Sequence, residues 1–320
     1  MLKWLEENIG YDISLWFESW ATDWVVTLFK PFDLVGTQLF YIVIICLLYW
    51  SVDKRKGRII GTIFLFSCYL NEFFKLLLCR PRPYQVSVAG KPQVTCALKP
   101  LSSYGIPSGH TQTTITFFLA LSLWMKKRLV WIISVFLICL VPLSRLIHRM
   151  HYLQDIVLGF ILGLLIVLIS YYGQPFYKRL YLRFGKGLIF ACMAISIIAL
   201  YVGAFFLNAK VWEKENIFEI STLFSVGLIG FLIEHYFVSF SSEGKLVKRI
   251  VRLIVGLLIL LVLKFGMNFA FAPLKPAVKS EATTLYILFE CIESMVLVLW
   301  ITCGAPAIFV VTGLAYKEKR

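Results

Sequence analysis

The sequence predicts an all-α bundle of membrane-spanning helices, and three observations predict it. Hydrophobic residues make up 59% of the 320 residues and charged residues only 16%, against about 45–50% apolar in soluble domains. The mean hydropathy is +0.81, and apolar runs near the roughly 20 residues that a spanning helix needs recur from about residue 35 onward. Basic residues sit in short clusters between these runs, the pattern of cytoplasmic loops in a multi-pass membrane protein. The net charge of +14 therefore speaks for membrane topology and against a nucleic-acid partner.

Residues 1–33 form a first segment. Trp4, Trp16, Phe17, Trp20 and Trp24 lie there among acidic residues, and aromatic rings favour the membrane–water interface. Two readings stand side by side: an amphipathic helix on the bilayer surface, or an ordinary packed terminal helix. Glu6, Glu7 and Asp12 argue against a cleavable signal peptide.

Nine spans follow by length and apolarity, at 34–52, 58–79, 108–126, 129–146, 153–173, 187–207, 218–239, 251–271 and 284–313. The last is long enough to tilt, or to break near Gly304-Ala305-Pro306. Basic clusters at Lys54–Arg58, Lys126–Arg128, Lys178–Lys186, Lys245–Arg252 and Lys317–Arg320 come after every second span. They thus share one side, which the positive-inside rule makes cytoplasmic. The N-terminus is then outside and the C-terminus cytoplasmic.

The eight cysteines contain no CxxC pair. Cys46, Cys68, Cys139, Cys192, Cys291 and Cys303 lie in apolar runs and suit core packing. Cys79 and Cys96 bracket one external loop and are the pair that a disulfide could join. Within the later spans, Lys264 is expected to pair across two helices with Glu290, because isolated intramembrane charges are costly.

Three clusters between residues 75 and 155 carry the chemistry, and the topology brings all three to the external surface. Lys75 lies about two turns before Arg82, where Pro81 and Pro83 end the helix. Two such cations can bind a phosphate dianion. Arg80 reads as an interface anchor that snorkels to head groups. Pro107 suits the first turn of a helix. Ser108 offers a hydroxyl and an N–H, Gly109 lets a ligand approach the backbone, and His110 projects towards the same anion. Ser144-Arg145 adds a third cation. His151 and Asp155, four apart, share a helix face. A carboxylate there takes the Nδ1 proton and leaves Nε2 free to attack. His148 reads as an exposed loop residue, and a metal pair with His151 lacks further ligands.

Lys75-x6-Arg82-Pro83, Pro107-Ser108-Gly109-His110 and Ser144-Arg145-x5-His151-x3-Asp155 resemble the three-part signature of the type 2 phosphatidate phosphatase and vanadium haloperoxidase superfamily. Within it the chain looks like the membrane lipid phosphatases. Its long C-terminal part resembles that of the sphingosine-phosphate phosphatases, and its nine-span topology is similar to glucose-6-phosphatase. The resemblance implies a catalytic helical core over 34–175 and a four-span membrane extension over 176–320. It implies that His151, oriented by Asp155, attacks phosphorus to form a phosphohistidine, and that His110 protonates the leaving alkoxide. Lys75, Arg82, Ser108, Gly109 and Arg145 would hold the phosphate oxygens, with no metal and no cofactor.

The expected function is hydrolysis of a lipid phosphomonoester or diphosphate at the periplasmic, exterior or lumenal face, with a membrane lipid as substrate and the bilayer as partner. The same chemistry on a soluble sugar phosphate, or phosphotransfer to another alcohol, is the alternative. A non-catalytic transporter or scaffold is the third class.

Overall fold

The computed structural model describes residues 2–101, 103–180, 182–183, 185, 195, 211–272 and 283–318. Among these residues the chain is helical, with no strand and one isolated antiparallel bridge between Phe240 and Lys317. It divides into two compact units, residues 1–41 with 67–186, and residues 42–66 with 187–320.

The chain opens with α1 (Leu2–Leu5), a π-helical turn (Glu6–Gly10) and α2 (Tyr11–Trp20). Helix α3 (Asp23–Val35) breaks at Gly36 before α4 (Gln38–Leu47). Then come α5 (Lys54–Leu78), α6 (Gly109–Met125), α7 (Arg128–Ile147) and α8 (Leu153–Tyr172). In the first unit α6 packs against both α7 and α8, and α2 and α3 pack on α7. Phe17, Ala21, Val25 and Val26 join Ile147 in one buried cluster. Trp4, Trp16, Trp20 and Trp24 remain exposed. The N-terminal helices are therefore packed along one face while their tryptophans point outward.

Helix α6 is unusual for its polarity. Thr111, Gln112, Thr113, Thr114, Thr116 and Ser122 are all buried, and a buried polar group needs a partner. The partners are present: Tyr41 Oη to Thr114 Oγ1 at 2.7 Å, Ser67 Oγ to Thr116 Oγ1 at 2.9 Å and Ser122 Oγ to Ser134 Oγ at 2.8 Å. Asn71 donates to Gln112 Oε1 at 2.9 Å, and Gln112 donates to the Ser67 carbonyl at 2.9 Å. Helix α8 meets α6 through its backbone. A Cβ on Gly159 would lie 2.8 Å from the Ser108 carbonyl, and one on Gly163 would lie 2.8 Å from that of Gln112. Small residues four apart permit such close helix contact.

Among the described residues six helices are long and apolar enough to cross a membrane: Lys54–Gln85, Arg128–Ile147, Leu153–Tyr172, Asn216–Val238, Leu246–Phe271 and Tyr286–Val311. The bent pair Asp23–Val35 with Gln38–Val52 makes a seventh if taken as one span. The span expected at 108–126 is α6, which has only 17 residues. The span expected at 187–207 lies, apart from residue 195, outside the described residues.

The second unit contains α9 (Val211–Ile233), α10 (Leu246–Phe271), α11 (Thr283–Leu299) and α12 (Ala305–Val311). Trp50 and Tyr49, both fully buried, donate to the carbonyls of Ile301 at 2.9 Å and Thr302 at 2.8 Å. A π-helical turn at Trp300–Gly304 stands where the sequence marked a break. Lys264 pairs with Glu293, three residues beyond the expected Glu290 and buried where Lys264 is half exposed.

Lys54 forms the unit's densest ionic cluster. Its ammonium contacts Glu234 at 3.1 Å, Glu318 at 2.9 Å and the Phe240 carbonyl at 2.5 Å. Glu234 has no exposed surface. Removing one partner of a buried pair strands the other charge. Lys54→Met is expected to destabilise the protein by about 3–5 kcal/mol, read as a lower melting temperature in detergent. Adding Glu234→Gln should recover much of the loss, and no recovery would mean the pair is not what the unit depends on.

Candidate active site

The three clusters converge within the first unit. Helix α5 ends at Leu78, and Cys79 takes a left-handed φ of 50° before the two prolines. Arg82 follows in extended conformation as the cap of a short 3-10 turn, Pro83–Gln85. Its guanidinium is buried and fully engaged. It donates to the Ser103 carbonyl at 2.8 Å, to Ser103 Oγ at 3.0 Å, to the Met150 carbonyl at 3.0 Å and to His151 Nε2 at 3.1 Å. A guanidinium can only donate, so Nε2 of His151 is the accepting nitrogen and Nδ1 carries the proton. Nδ1 lies 3.3 Å from Asp155 Oδ2, which also accepts the Tyr152 N–H at 3.0 Å.

The turn that delivers His151 is tight. After α7 the chain closes with Arg149 N–H to the Leu146 carbonyl at 2.9 Å and Met150 N–H to the Arg145 carbonyl at 3.0 Å. Arg149 adopts φ 56°, a conformation that costs a non-glycine residue about 1–2 kcal/mol, and its Nε bonds the Thr95 carbonyl at 2.7 Å.

Ser108 caps α6. Its Oγ accepts from Thr111 Oγ1 at 3.1 Å, and its own N–H donates to the Asp155 carbonyl at 3.0 Å. Pro107 accordingly precedes the cap instead of sitting in the first helical turn, and the Ile106–Pro107 peptide is cis. The amide of Ser108 expected to face an anion is thus already committed to backbone. Gly109 lies beside Lys75, whose Nζ would be 3.8 Å from a Cβ there. Lys75 pairs with Glu72 on its own helix at 2.7 Å.

Arg145 meets a partner that the motifs do not contain. It pairs with Asp33 at the end of α3. The same carboxylate oxygen lies 3.3 Å from Ser144 Oγ and 3.1 Å from His148 Nδ1. His148 Nε2 meets the Val26 carbonyl at 3.0 Å. His148 is fully buried, which corrects the expectation of an exposed loop residue: the N-terminal helices cover it. Gly36, three residues after Asp33, packs on His110 so closely that a Cβ would stand 2.0 Å from Cδ2 of the ring. His110 makes no side-chain hydrogen bond among the described residues. Arg80 pairs with Glu6, so it is tied to the N-terminal turn instead of snorkelling. Cys79 and Cys96 are both free thiols: Cys79 Sγ bonds the Leu76 carbonyl at 2.8 Å and Cys96 Sγ faces Met150 Sδ at 3.1 Å.

Burial holds the His151 imidazole well below its ordinary value of 6.5, and the charges of Arg82, Arg145, His110 and Lys75 push the same way. These are the groups that the clusters were expected to assemble, and each is near enough to act on that ring. Asp33, Gly36 and Ser103 escaped the sequence reading, since nothing but tertiary contact links them to the motifs. Among the described residues no group of three or more His, Cys, Asp or Glu side chains is placed to hold a metal ion.

The fold and the site define an integral-membrane helical protein with a cluster of cations around a buried, oriented histidine. A family model for the PAP2 superfamily matches residues 56–179, and one for the PAP2 superfamily phosphatase transmembrane extension matches residues 218–318. The chain thus contains a PAP2 superfamily domain followed by the superfamily's transmembrane extension. It is similar to sphingosine-1-phosphate phosphatase 2 of Mus musculus, 27% identical over 150 residues, which are 45% of this chain and 41% of that protein. It is similar to a dihydrosphingosine 1-phosphate phosphatase of Schizosaccharomyces pombe, 23% identical over 86% of this chain and 69% of the relative. Among solved structures, a transmembrane PAP2 type phosphatidylglycerolphosphate phosphatase from Bacillus subtilis is 24% identical over 53% of this chain and 85% of its own, with a TM-score of 0.41. The match to the mouse relative spans about two fifths of that protein's length.

The depressed His151 value has a consequence for stability. Below pH 6.5 the unfolded chain takes up a proton on this residue that the folded chain refuses. The contribution is complete above that value and is lost as the pH falls towards the folded one. The melting temperature in detergent is expected to drop as the pH falls below 6.5, and to drop less steeply in His151→Gln. Equal slopes would remove His151 as the cause.

Proposed function

We propose that this protein hydrolyses a lipid phosphomonoester, with sphingoid-base phosphates the leading class, through a phosphohistidine on His151 and without a metal ion. The observation that carries the reading is the His151 pair of contacts: Asp155 on Nδ1 and Arg82 on Nε2. Asp155 holds the proton on Nδ1 so that Nε2 is the accepting nitrogen, and an arriving phosphate oxygen would take over the Arg82 guanidinium and free Nε2.

In the proposed reaction Nε2 of His151 attacks phosphorus and the bond to the lipid oxygen breaks. His110 gives its proton to that leaving oxygen. Water then attacks the phosphorus and passes a proton to His110, the P–N bond breaks, and inorganic phosphate leaves with neutral His151 and protonated His110 restored. Arg82, Lys75 and Arg145 stabilise charge on the non-bridging oxygens, the work that Mg²⁺ does in kinases. Gly109 lets the phosphate approach the backbone next to Lys75. Ser108 acts mainly by capping α6, with its hydroxyl the remaining link to the phosphate.

The catalytic core is placed at 34–175 and the extension at 176–320. The topology is nine spans with an external N-terminus, a cytoplasmic C-terminus and the site on the non-cytoplasmic face. Helix α6 is the short, polar member because it lines the site. The names of the relatives support the sphingoid-base class, and a sugar phosphate remains the contrasting substrate in the test.

Purified protein in EDTA is expected to release phosphate from sphinganine 1-phosphate faster than from phosphatidate or glucose 6-phosphate. His151→Ala should lower the rate by about three orders of magnitude or more. Acid-labile, alkali-stable label should appear on His151 during turnover. Loss of activity in EDTA, or retention of activity in His151→Ala, would overturn the mechanism. Because the attacking histidine stays neutral below its usual range, the acid limb of kcat/KM is expected below pH 6.5. An acid limb above that value would contradict the assignment.

A further inference from the structure

The Asp33–Gly36 turn touches the site at two of its working points. Asp33 pairs with Arg145, a proposed phosphate ligand, and Gly36 lies against His110, the proposed acid for the leaving oxygen. The phosphate and the oxygen that joins it to the lipid are therefore both beside this one turn. The carbon next to the ester carbon must come close to it as well.

Asp33 is badly matched to an incoming phosphate. Arg145 is its principal counter-charge, with 3% of its side chain exposed against 19% for Asp33. A phosphate dianion that takes Arg145 brings negative charge next to a carboxylate that has just lost its cation. The contacts to Ser144 and His148 remain, but neither supplies a fixed positive charge. A substrate that carries its own cation at this place resolves the conflict, since breaking a pair in a buried setting is unfavourable unless the stranded charge finds a new partner.

We propose that Asp33 is a specificity-determining residue that binds a protonated amine on the carbon adjacent to the phosphate-bearing carbon of the lipid. Phosphate and ammonium enter as a pair and exchange partners with Arg145 and Asp33, so that no charge is left alone. A sphingoid-base phosphate has this arrangement; phosphatidate and N-acylated analogues do not. The proposal rests on the phosphatase reading above and gives it a basis for substrate choice. Glu72 is the competing carboxylate. Its pairing with Lys75 is a contact within one helix at 2.7 Å, without a second contact to the leaving-group side.

The experiment compares sphinganine 1-phosphate with its N-acetyl derivative, and the non-cleavable phosphonates of both, on wild type, Asp33→Asn, Asp33→Ser and Glu72→Gln in detergent. The wild type is expected to favour the amine in kcat/KM and in phosphonate Kd. Asp33→Asn is expected to reduce both ratios by about tenfold, the scale of one lost ion pair at a partly buried site. Asp33→Glu should preserve the preference. Asp33→Ser keeps a hydroxyl for His148 and Ser144 and replaces Asp33→Asn if that variant does not fold. Equal losses on both substrates would make Asp33 a structural clamp on Arg145 and overturn the proposal. So would a wild-type ratio near one, or a shift caused by Glu72→Gln instead. If the wild type cleaves neither lipid, the phosphatase reading fails, and the phosphonate ratios alone decide the role of Asp33.

Discussion

The geometry of the site depends on one buried guanidinium. Arg82 has too many donors to be left unsatisfied inside a protein, and four contacts from two stretches of chain, Ser103 and Met150-His151, meet them. The guanidinium joins the Ser103 loop through Nε and Nη2 to the Met150 carbonyl and the His151 ring through Nη1, and so holds that ring in one tautomer. The strained turn at Arg149 is sustained by the same closure. A lysine could supply the charge but not this fork of directions.

The counter-charges offset the cations gathered around His151. Lys75, Arg82 and Arg145 would repel one another if left bare in a low-dielectric setting. Glu72 answers the first and Asp33 the third, while Arg82 spreads its charge over carbonyls and an imidazole. Binding of an anion is then an exchange of partners, so that affinity is set by a difference between two sets of ion pairs.

Much of this was legible in the sequence where the signal is local. The helical character follows from long apolar runs. The four-residue spacing pointed to the contact of His151 with Asp155, although His151 lies before Tyr152, the cap of α8, and reaches the carboxylate from outside the helix; the convergence of the clusters was expected from the alternation of basic loops. What escaped was long-range or hidden in composition. Asp33 gives no hint of Arg145, more than a hundred residues away, and so His148 could not be seen to be buried beneath the N-terminal helices. Arg80 looked like a lipid anchor because Glu6 is equally remote. The polarity of α6 was visible as a row of threonines, yet only packing shows that every one of them is enclosed. For Lys264, the helix face was legible and the individual glutamate was not, since Glu290 and Glu293 are separated by less than one turn.

The backbone contact between α6 and α8 has a bearing on how variants of this protein would be interpreted. Gly159 and Gly163 carry no side chain that could react, and they face the carbonyls of Ser108, the cap of α6, and of Gln112 within it. The Ser108 N–H is in turn bonded to the carbonyl of Asp155. Any side chain at either glycine pushes apart the two elements that carry His110 and Asp155. In a genetic screen such substitutions would group with losses of the reactive residues themselves, although they lie about two and three helical turns into α8. Distance from the chemistry is thus a poor guide to which alleles of this chain are silent.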